Sequence, residues 1–416
     1  MHTAKPFNIS KNVVLEAYKR VKANKGAAGV DNETMEMFEK DLKGNLYKIW
    51  NRMSSGCYMP PVVKIVEIPK GTSGTRKLGI PTVSDRIAQM VAKMYLEPKM
   101  EPEFHQDSYG YRPNKSALDA VGKARQRCWQ YNWVVDMDIK GFFDNLDHEL
   151  VMRAVRKHTD DKWVLLYIER WLKAPAQMAD GTLIVRDRGT PQGGVISPLI
   201  ANLFLHYALD KWMERNFQNN PFERYADDVV VHCSSEEEAE ALKKAIATRL
   251  LECGLELHPQ KTKIVYCKDD DRPEKHNSVS FDFLGYTFRA RKVKTRSGRF
   301  FTGFNPAISN KAAKAIRQRI NEWKFHLWST KSINELAAIC QLVVRGWENY
   351  YGKYYNSAFY SVLQYMDNVL IRWAKKKYKR LKNSTVRAAK FIRNIAINNP
   401  SLFTHWHRTI KKATVR

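Results

Sequence analysis

Tyr225-Ala226-Asp227-Asp228 constrains this chain more than any other stretch of it. Phe222-Glu223-Arg224-Tyr225 precedes the two aspartates and Val229-Val230-Val231-His232 follows them. Both flanks read as short strands, so the pair of carboxylates sits at the tip of a hairpin. Adjacent carboxylates repel each other and destabilise such a tip unless a cation shares the site. An isolated Asp-Asp can also mark a solvated turn. Asp138 argues against that reading, because it ends Trp133-Val134-Val135-Asp136-Met137-Asp138-Ile139, a strand by residue type.

The surrounding pattern tells how these parts connect. Residues 145–157 and 236–253 read as helices, the second stopped by Gly254. Leu255-Glu256-Leu257 and Ile264-Val265-Tyr266 read as strands again. The order strand, helix, hairpin, helix, strand is a split βαβ plan with a long insertion between Asp160 and Pro221. On that plan Asp138, Asp227 and Asp228 meet at one sheet edge. Three carboxylates form a hard-oxygen site suited to Mg²⁺. Two such ions about 4 Å apart would serve an in-line displacement at phosphorus.

Upstream, residues 10–24 read as a helix opened by Ser10, and residues 62–68 as a strand. Gly71-Thr72-Ser73-Gly74 turns that strand back through Arg76-Lys77-Leu78-Gly79-Ile80, a hairpin with basic residues near its tip. After about residue 305 the pattern is wholly helical. Ile308, Ala312, Ile316 and Ile320 mark one stripe, and Phe359, Val362, Leu363, Met366 and Leu370 another. Ser332 and Glu335 form a capping box between them.

Charge points to the partner. The chain carries 70 Lys and Arg against 43 Asp and Glu, a net +27, and so large a surplus on a folded chain calls for a polyanion. Past Asp367 there is no acidic residue, but about 14 Lys and Arg. Lys375, Lys376, Lys377, Lys379 and Arg380 are the densest part and are expected to contact nucleic acid. No apolar run approaches the roughly 18 residues that span a membrane. No two of the six cysteines are spaced as a CxxC pair. A cytoplasmic protein follows.

These motifs resemble those of group II intron-encoded reverse transcriptases, or maturases. The matching stretches are Arg76-Lys77-Leu78-Gly79-Ile80-Pro81, Gly110-Tyr111-Arg112-Pro113, Asp138-Ile139-Lys140-Gly141-Phe142-Phe143-Asp144, Gly189-Thr190-Pro191-Gln192-Gly193-Gly194, Tyr225-Ala226-Asp227-Asp228, Gln260-Lys261-Thr262-Lys263 and Phe283-Leu284-Gly285-Tyr286. They stand in family order between residues 20 and 290. The resemblance implies an α+β right-hand polymerase, with fingers and a split-βαβ palm over 1–300. A helical thumb or maturase domain is expected over 301–383 and a basic DNA-binding tail over 384–416. The chain resembles the compact class without the endonuclease domain.

The resemblance also assigns roles. Asp138, Asp227 and Asp228 match the catalytic, metal-holding triad, with two Mg²⁺ ions or Mn²⁺ in their place. Phe143 matches the bulky position that excludes a ribose 2′-hydroxyl, though core packing would also explain it. Gln192 matches the glutamine at the incoming nucleotide. Lys70 and Arg76 resemble the cations on the triphosphate. Arg112 could meet nucleotide or template, or simply pair with a carboxylate. Lys263 matches a lysine near the primer end. Implied partners are intron RNA as template, a DNA or RNA primer, target DNA and dNTPs, in a bacterial cytoplasm at the nucleoid, with a homodimer left open. Two other readings stay open. One is a splicing cofactor without synthesis, which would not need all three aspartates. The other is a related enzyme recruited to retron synthesis, CRISPR spacer acquisition or DNA repair.

Overall fold

The computed structural model describes residues 5–69, 74–295 and 297–408. The chain forms two compact units, one from residues 1–120 with 135–263, the other from 121–134 with 264–416.

The first unit holds the expected palm. In its sheet the strand Asp228–Cys233 lies between Phe222–Tyr225 and the strand Trp133–Asp138. The hairpin therefore lies directly beside the strand that ends in Asp138. Val134, Val135 and Met137 are buried, as are Val229, Val230 and Val231, which fixes the register by burial. The helix Glu236–Glu252 starts at Ser235, whose hydroxyl accepts from the Glu238 amide at 3.2 Å. It is followed by Gly254 at φ +74°. The expected strand Leu255–Leu257 shrinks to one bridge between Ile139 and Leu257. That bridge still matters, because Lys140 N donates to Glu256 O and His258 N to Asp138 O. Both bonds tie the chain leading to residues 260–263 onto the end of the Asp138 strand.

The finger hairpin pairs Val63–Pro69 with Thr75–Ile80. Lys70 and most of the turn lie outside the described residues. The long insertion between Asp160 and Pro221 is helical over Lys162–Lys173, Ser197–Leu205 and Lys211–Asn216. Its two-residue strand Ala176–Gln177 joins the finger sheet in parallel to Val63 and Lys64.

The second unit contains strands that the sequence pattern did not bring out. Ser280–Phe283, Tyr286–Lys294 and Phe300–Ile308 form an antiparallel sheet. The helical pattern thus begins at Asn310 rather than near 305, and residue 300 opens a strand. Aromatic Phe300, Phe301 and Phe304 favour a strand, and Pro306 is incompatible with a helix interior. The helices Asn310–Glu322, Ile333–Tyr351, Asn356–Lys377 and Thr385–Asn398 follow. The expected capping box is present, with Ser332 N donating to Glu335 at 2.7 Å. The helices share one apolar core that includes Ile316, Leu336, Phe359, Leu370 and Trp373. Residues 384–408, expected as a separate basic tail, add Ala388, Ile392, Ala396, Phe403 and Trp406 to that same core. Asp367 anchors their end, accepting from His405 Nε2 at 2.9 Å and Trp406 Nε1 at 3.0 Å. Among the described residues, no helix is long and apolar enough to cross a membrane.

Candidate active site

The site is built around a tight turn. Tyr225 pairs with Asp228, so Ala226 and Asp227 alone make the bend. Ala226 takes φ +58°, an uncommon conformation for a residue with a Cβ. Such strain persists where the surroundings over-determine it, and a chain of contacts through Arg224, Asn202 and Gly110 does so here. Arg224, fully buried, donates from Nε and Nη2 to the two carboxylate oxygens of Asp210 at 2.7 and 2.6 Å. Its Nη1 reaches Asn202 Oδ1 at 3.0 Å and Ala226 O at 3.3 Å. Asn202 then donates to Gly110 O at 2.6 Å. Gly110 lies against the turn itself: a Cβ there would stand 2.5 Å from the Ala226 nitrogen and 3.0 Å from the Tyr225 carbonyl carbon. Only glycine permits that approach without moving backbone. The same segment flanks the strand, with Tyr109 N donating to Arg224 O at 2.8 Å and Arg224 N to Asp107 O at 3.0 Å.

The carboxylates feel one another. Burial pushes the Asp227 carboxyl above its ordinary range, and the charge of Asp138 pushes in the same direction. Arg76 and Lys261 pull it back down. Lys261 Nζ lies 2.6 Å from Asp138 Oδ2. Lys261 thus offsets the charge of one carboxylate, while burial and like charge work against the other. Among the described residues, no three His, Cys, Asp or Glu side chains form a preassembled metal cage. The donor set is nonetheless all hard oxygen and fits a divalent ion.

The other expected residues fall into three groups. Arg76 stands on the exposed finger strand, and its charge acts on Asp227. Phe143 and Gln192 belong to one clasp. Phe143 is buried, and its carbonyl accepts from Thr190 N at 2.7 Å. The Gln192 carbonyl accepts from Gly79 N at 2.7 Å, which docks the 189–194 loop on the finger strand. A Cβ on Gly193, at φ +120°, would stand 2.5 Å from Gly79 O. Gln89 supports the far end of this loop, its Oε1 accepting from Val195 N at 2.8 Å.

Arg112 makes the carboxylate pairing that was the second of its two alternatives. Its Nε and Nη2 grip Glu101, at 3.0 and 2.8 Å to Oε1, while Nη1 donates to His105 O and Ser108 O. Nη2 also reaches Glu101 O at 3.3 Å. A guanidinium has five N–H donors, and these contacts engage them in holding the 101–112 segment together. Lys263 opens its strand with an exposed side chain; the lysine that meets Asp138 is Lys261, two residues earlier. Tyr111 was also missed. It adopts φ +57°, its ring lies 6.5 Å from that of Tyr225, and burial followed by the Asp227 charge raises its pKa. Spacing along the chain signalled neither residue, because both reach the site through loops.

In the helical unit, Lys375, Lys376 and Lys379 line one cavity. Lys377 instead donates to Ser329 O at 2.9 Å and Thr330 O at 3.3 Å. Arg380 lies 5.8 Å from the Phe391 ring centre.

A palm sheet carrying aspartates at its hairpin tip and on the neighbouring strand, with a finger hairpin and a helical domain, defines a nucleic-acid polymerase of the right-hand type. A family model described as reverse transcriptase (RNA-dependent DNA polymerase) matches residues 68–288, and one for the group II intron maturase-specific domain matches 313–391. Protein YkfC of Escherichia coli is 31% identical over 327 residues, covering 68% of this chain and 80% of that protein. The group II intron-encoded protein LtrA of Lactococcus lactis is 34% identical over 200 residues, 47% of this chain and 33% of LtrA. A putative COX1/OXI3 intron 1 protein of Saccharomyces cerevisiae is 29% identical over 210 residues, 50% of this chain and 25% of that protein. The chain thus matches a third or less of the length of these two intron-encoded relatives. It belongs to the group II intron-encoded branch of the reverse transcriptase family, an RNA-directed DNA polymerase with a maturase-specific domain. The family works with divalent metal ions.

Proposed function

We propose that Asp138, Asp227 and Asp228 hold two Mg²⁺ ions and that the chain copies RNA into DNA from dNTPs at a primer 3′-hydroxyl. The observation that carries this reading is geometric: the hairpin that turns at Asp227 and Asp228 lies beside the strand that ends in Asp138, and Arg224 and Gly110 brace that turn. When bound, the ions would activate the 3′-hydroxyl and stabilise the leaving pyrophosphate. The chain's own residues do the rest. Arg76 and Lys70 bind triphosphate oxygens, arginine through its fork and lysine as a point charge. The Phe143 ring excludes a 2′-hydroxyl, and Gln192 orients the incoming nucleotide on the docked 189–194 loop. Lys261 neutralises Asp138 and, being half exposed on a flexible stem, yields that carboxylate to an entering ion. Lys263 stands near the primer end.

The match to the maturase-specific domain supports a second role, in which Lys375, Lys376, Lys379 and Arg380 contact intron RNA and target DNA during splicing and mobility. The bacterial relatives support a bacterial cytoplasm as its setting, and a DNA target would bring it to the nucleoid.

Primer extension on an RNA template with Mg²⁺ and dNTPs tests the polymerase reading. The native chain should extend. Asp227→Asn should fall by at least about 10²–10³-fold, the scale of losing one charge-stabilising group, with RNA binding retained. No extension by the native chain, with RNA still bound, would favour a splicing cofactor. Equal extension by both would remove Asp227 from the site.

A further inference from the structure

Six of the cations of the helical unit meet at one place. The segment 320–327, the helix Asn356–Lys377 and the turn after it enclose an open cavity of about 990 Å³. That is at the upper end of the ~300–1,000 Å³ that takes a small-molecule-sized ligand. Lys324, Arg372, Lys375, Lys376, Lys379 and Lys382 line it, and no carboxylate does. Six like charges around one concavity repel each other until an anion enters. The remaining lining is apolar: Ile320, Phe325 and Val369 are buried, and Leu327 is 64% exposed. Lys324 starts the turn that carries Phe325 and Leu327 and is held at φ +48°, a strained conformation of the kind that clusters at ligand clamps.

Charge alone would suit any phosphate backbone, but the apolar floor selects among them. A duplex presents phosphate and sugar outward and keeps its base faces stacked. An unpaired strand can turn a base onto an apolar surface while its phosphates stay on the rim. We propose that this cavity binds a short unpaired segment of RNA, with phosphates on the lysines and Arg372 and a base against Leu327. The proposal rests on the reading of Lys375–Arg380 as a nucleic-acid surface and narrows it to one ligand class and one cavity. Every lining residue falls within the segment matched by the maturase-specific domain.

The test uses the full chain and fluorescence anisotropy with two probes, an unstructured RNA and an RNA duplex of the same length. Leu327→Ala removes the exposed apolar contact without changing charge. It should weaken the unpaired RNA about tenfold and the duplex by less than about twofold. A 4-thiouridine-labelled unpaired RNA should cross-link to peptides within 320–327 or 369–382, and Leu327→Ala should reduce that yield. Equal weakening of both probes, or no change in either, overturns the base pocket, as does unpaired DNA binding more tightly than RNA. Lys376→Gln tests the underlying reading separately: if it weakens neither probe, the surface itself does not bind nucleic acid.

Discussion

The palm turn and the basic cavity of the helical unit solve opposite problems. At the turn, charges are balanced and held. Arg224 and Asp210 are both fully buried and bonded to each other, and Asn202 links Arg224 to Gly110. The cavity has an excess of cations that no lining carboxylate offsets, on a core made of apolar side chains. A catalytic site needs its carboxylates fixed before a metal arrives, because a small misplacement costs rate. A binding surface only needs charge at the right density, and each phosphate contact adds its own increment. Substitutions at the turn should therefore act sharply and together, and those at the cavity gradually and additively.

The largest expected effect strikes the bracing ion pair. Arg224→Met leaves Asp210 buried without its partner, which should cost about 3–5 kcal/mol. Arg224→Met combined with Asp210→Leu should recover much of that loss, because two apolar groups replace two compensated charges. Urea unfolding of the native, single and double variants measures this. A double variant as unstable as the single one would mean that Arg224 acts through its bonds to Asn202 and Ala226 instead.

Glycine gives the next contrast, since each unit has one in a telling position. Gly110→Ala drives a Cβ into the backbone of the Ala226 turn, and primer extension should fall roughly 10²-fold while RNA binding holds. Gly346 lies inside the helix Ile333–Tyr351, and a Cβ there would meet nothing within 4 Å. Gly346→Ala should stabilise the chain by about 0.5–1 kcal/mol. Retained activity in Gly110→Ala would show that the turn has slack, and the contrast between the units would weaken.

What the sequence revealed follows the same divide. The hairpin, the Asp138 strand and their adjacency were legible because alternation and β-branched runs report burial directly. The bracing of the turn was not, because Gly110 is far along the chain from Asn202 and Arg224, and Asn202 and Asp210 lie in the insertion between Asp160 and Pro221, whose packing no periodicity reports. The contact of Lys261 with Asp138 was not legible, because it depends on the bonds that anchor its loop, here His258 N to Asp138 O. Arg112 could be read either way from sequence; only Glu101, eleven residues earlier, decides it. In the helical unit the stripes were clear, yet residues 384–408 passed for a tail. Their apolar positions Ala388, Ile392 and Ala396 recur at helical spacing, but the lack of any acidic residue past Asp367 drew the reading to charge instead. Charge density also made Lys375, Lys376 and Lys377 look equivalent.

They are not equivalent, and the smallest effect tests the difference. Lys376 is exposed on the cavity, whereas Lys377 is committed to the carbonyls of Ser329 and Thr330. An ammonium that releases a counterion on binding contributes about 0.7 to the slope of log K against log salt for a single strand. Lys376→Gln should lower the slope by about that amount, and Lys377→Gln should leave it unchanged while lowering the melting temperature of the helical unit. Titrating unpaired RNA across a range of salt, with each variant against the native chain, separates the two. Equal slope losses would mean that Lys377 leaves its carbonyls when RNA arrives. The cationic run would then act as one flexible surface, and the cavity would lose its claim to a defined geometry.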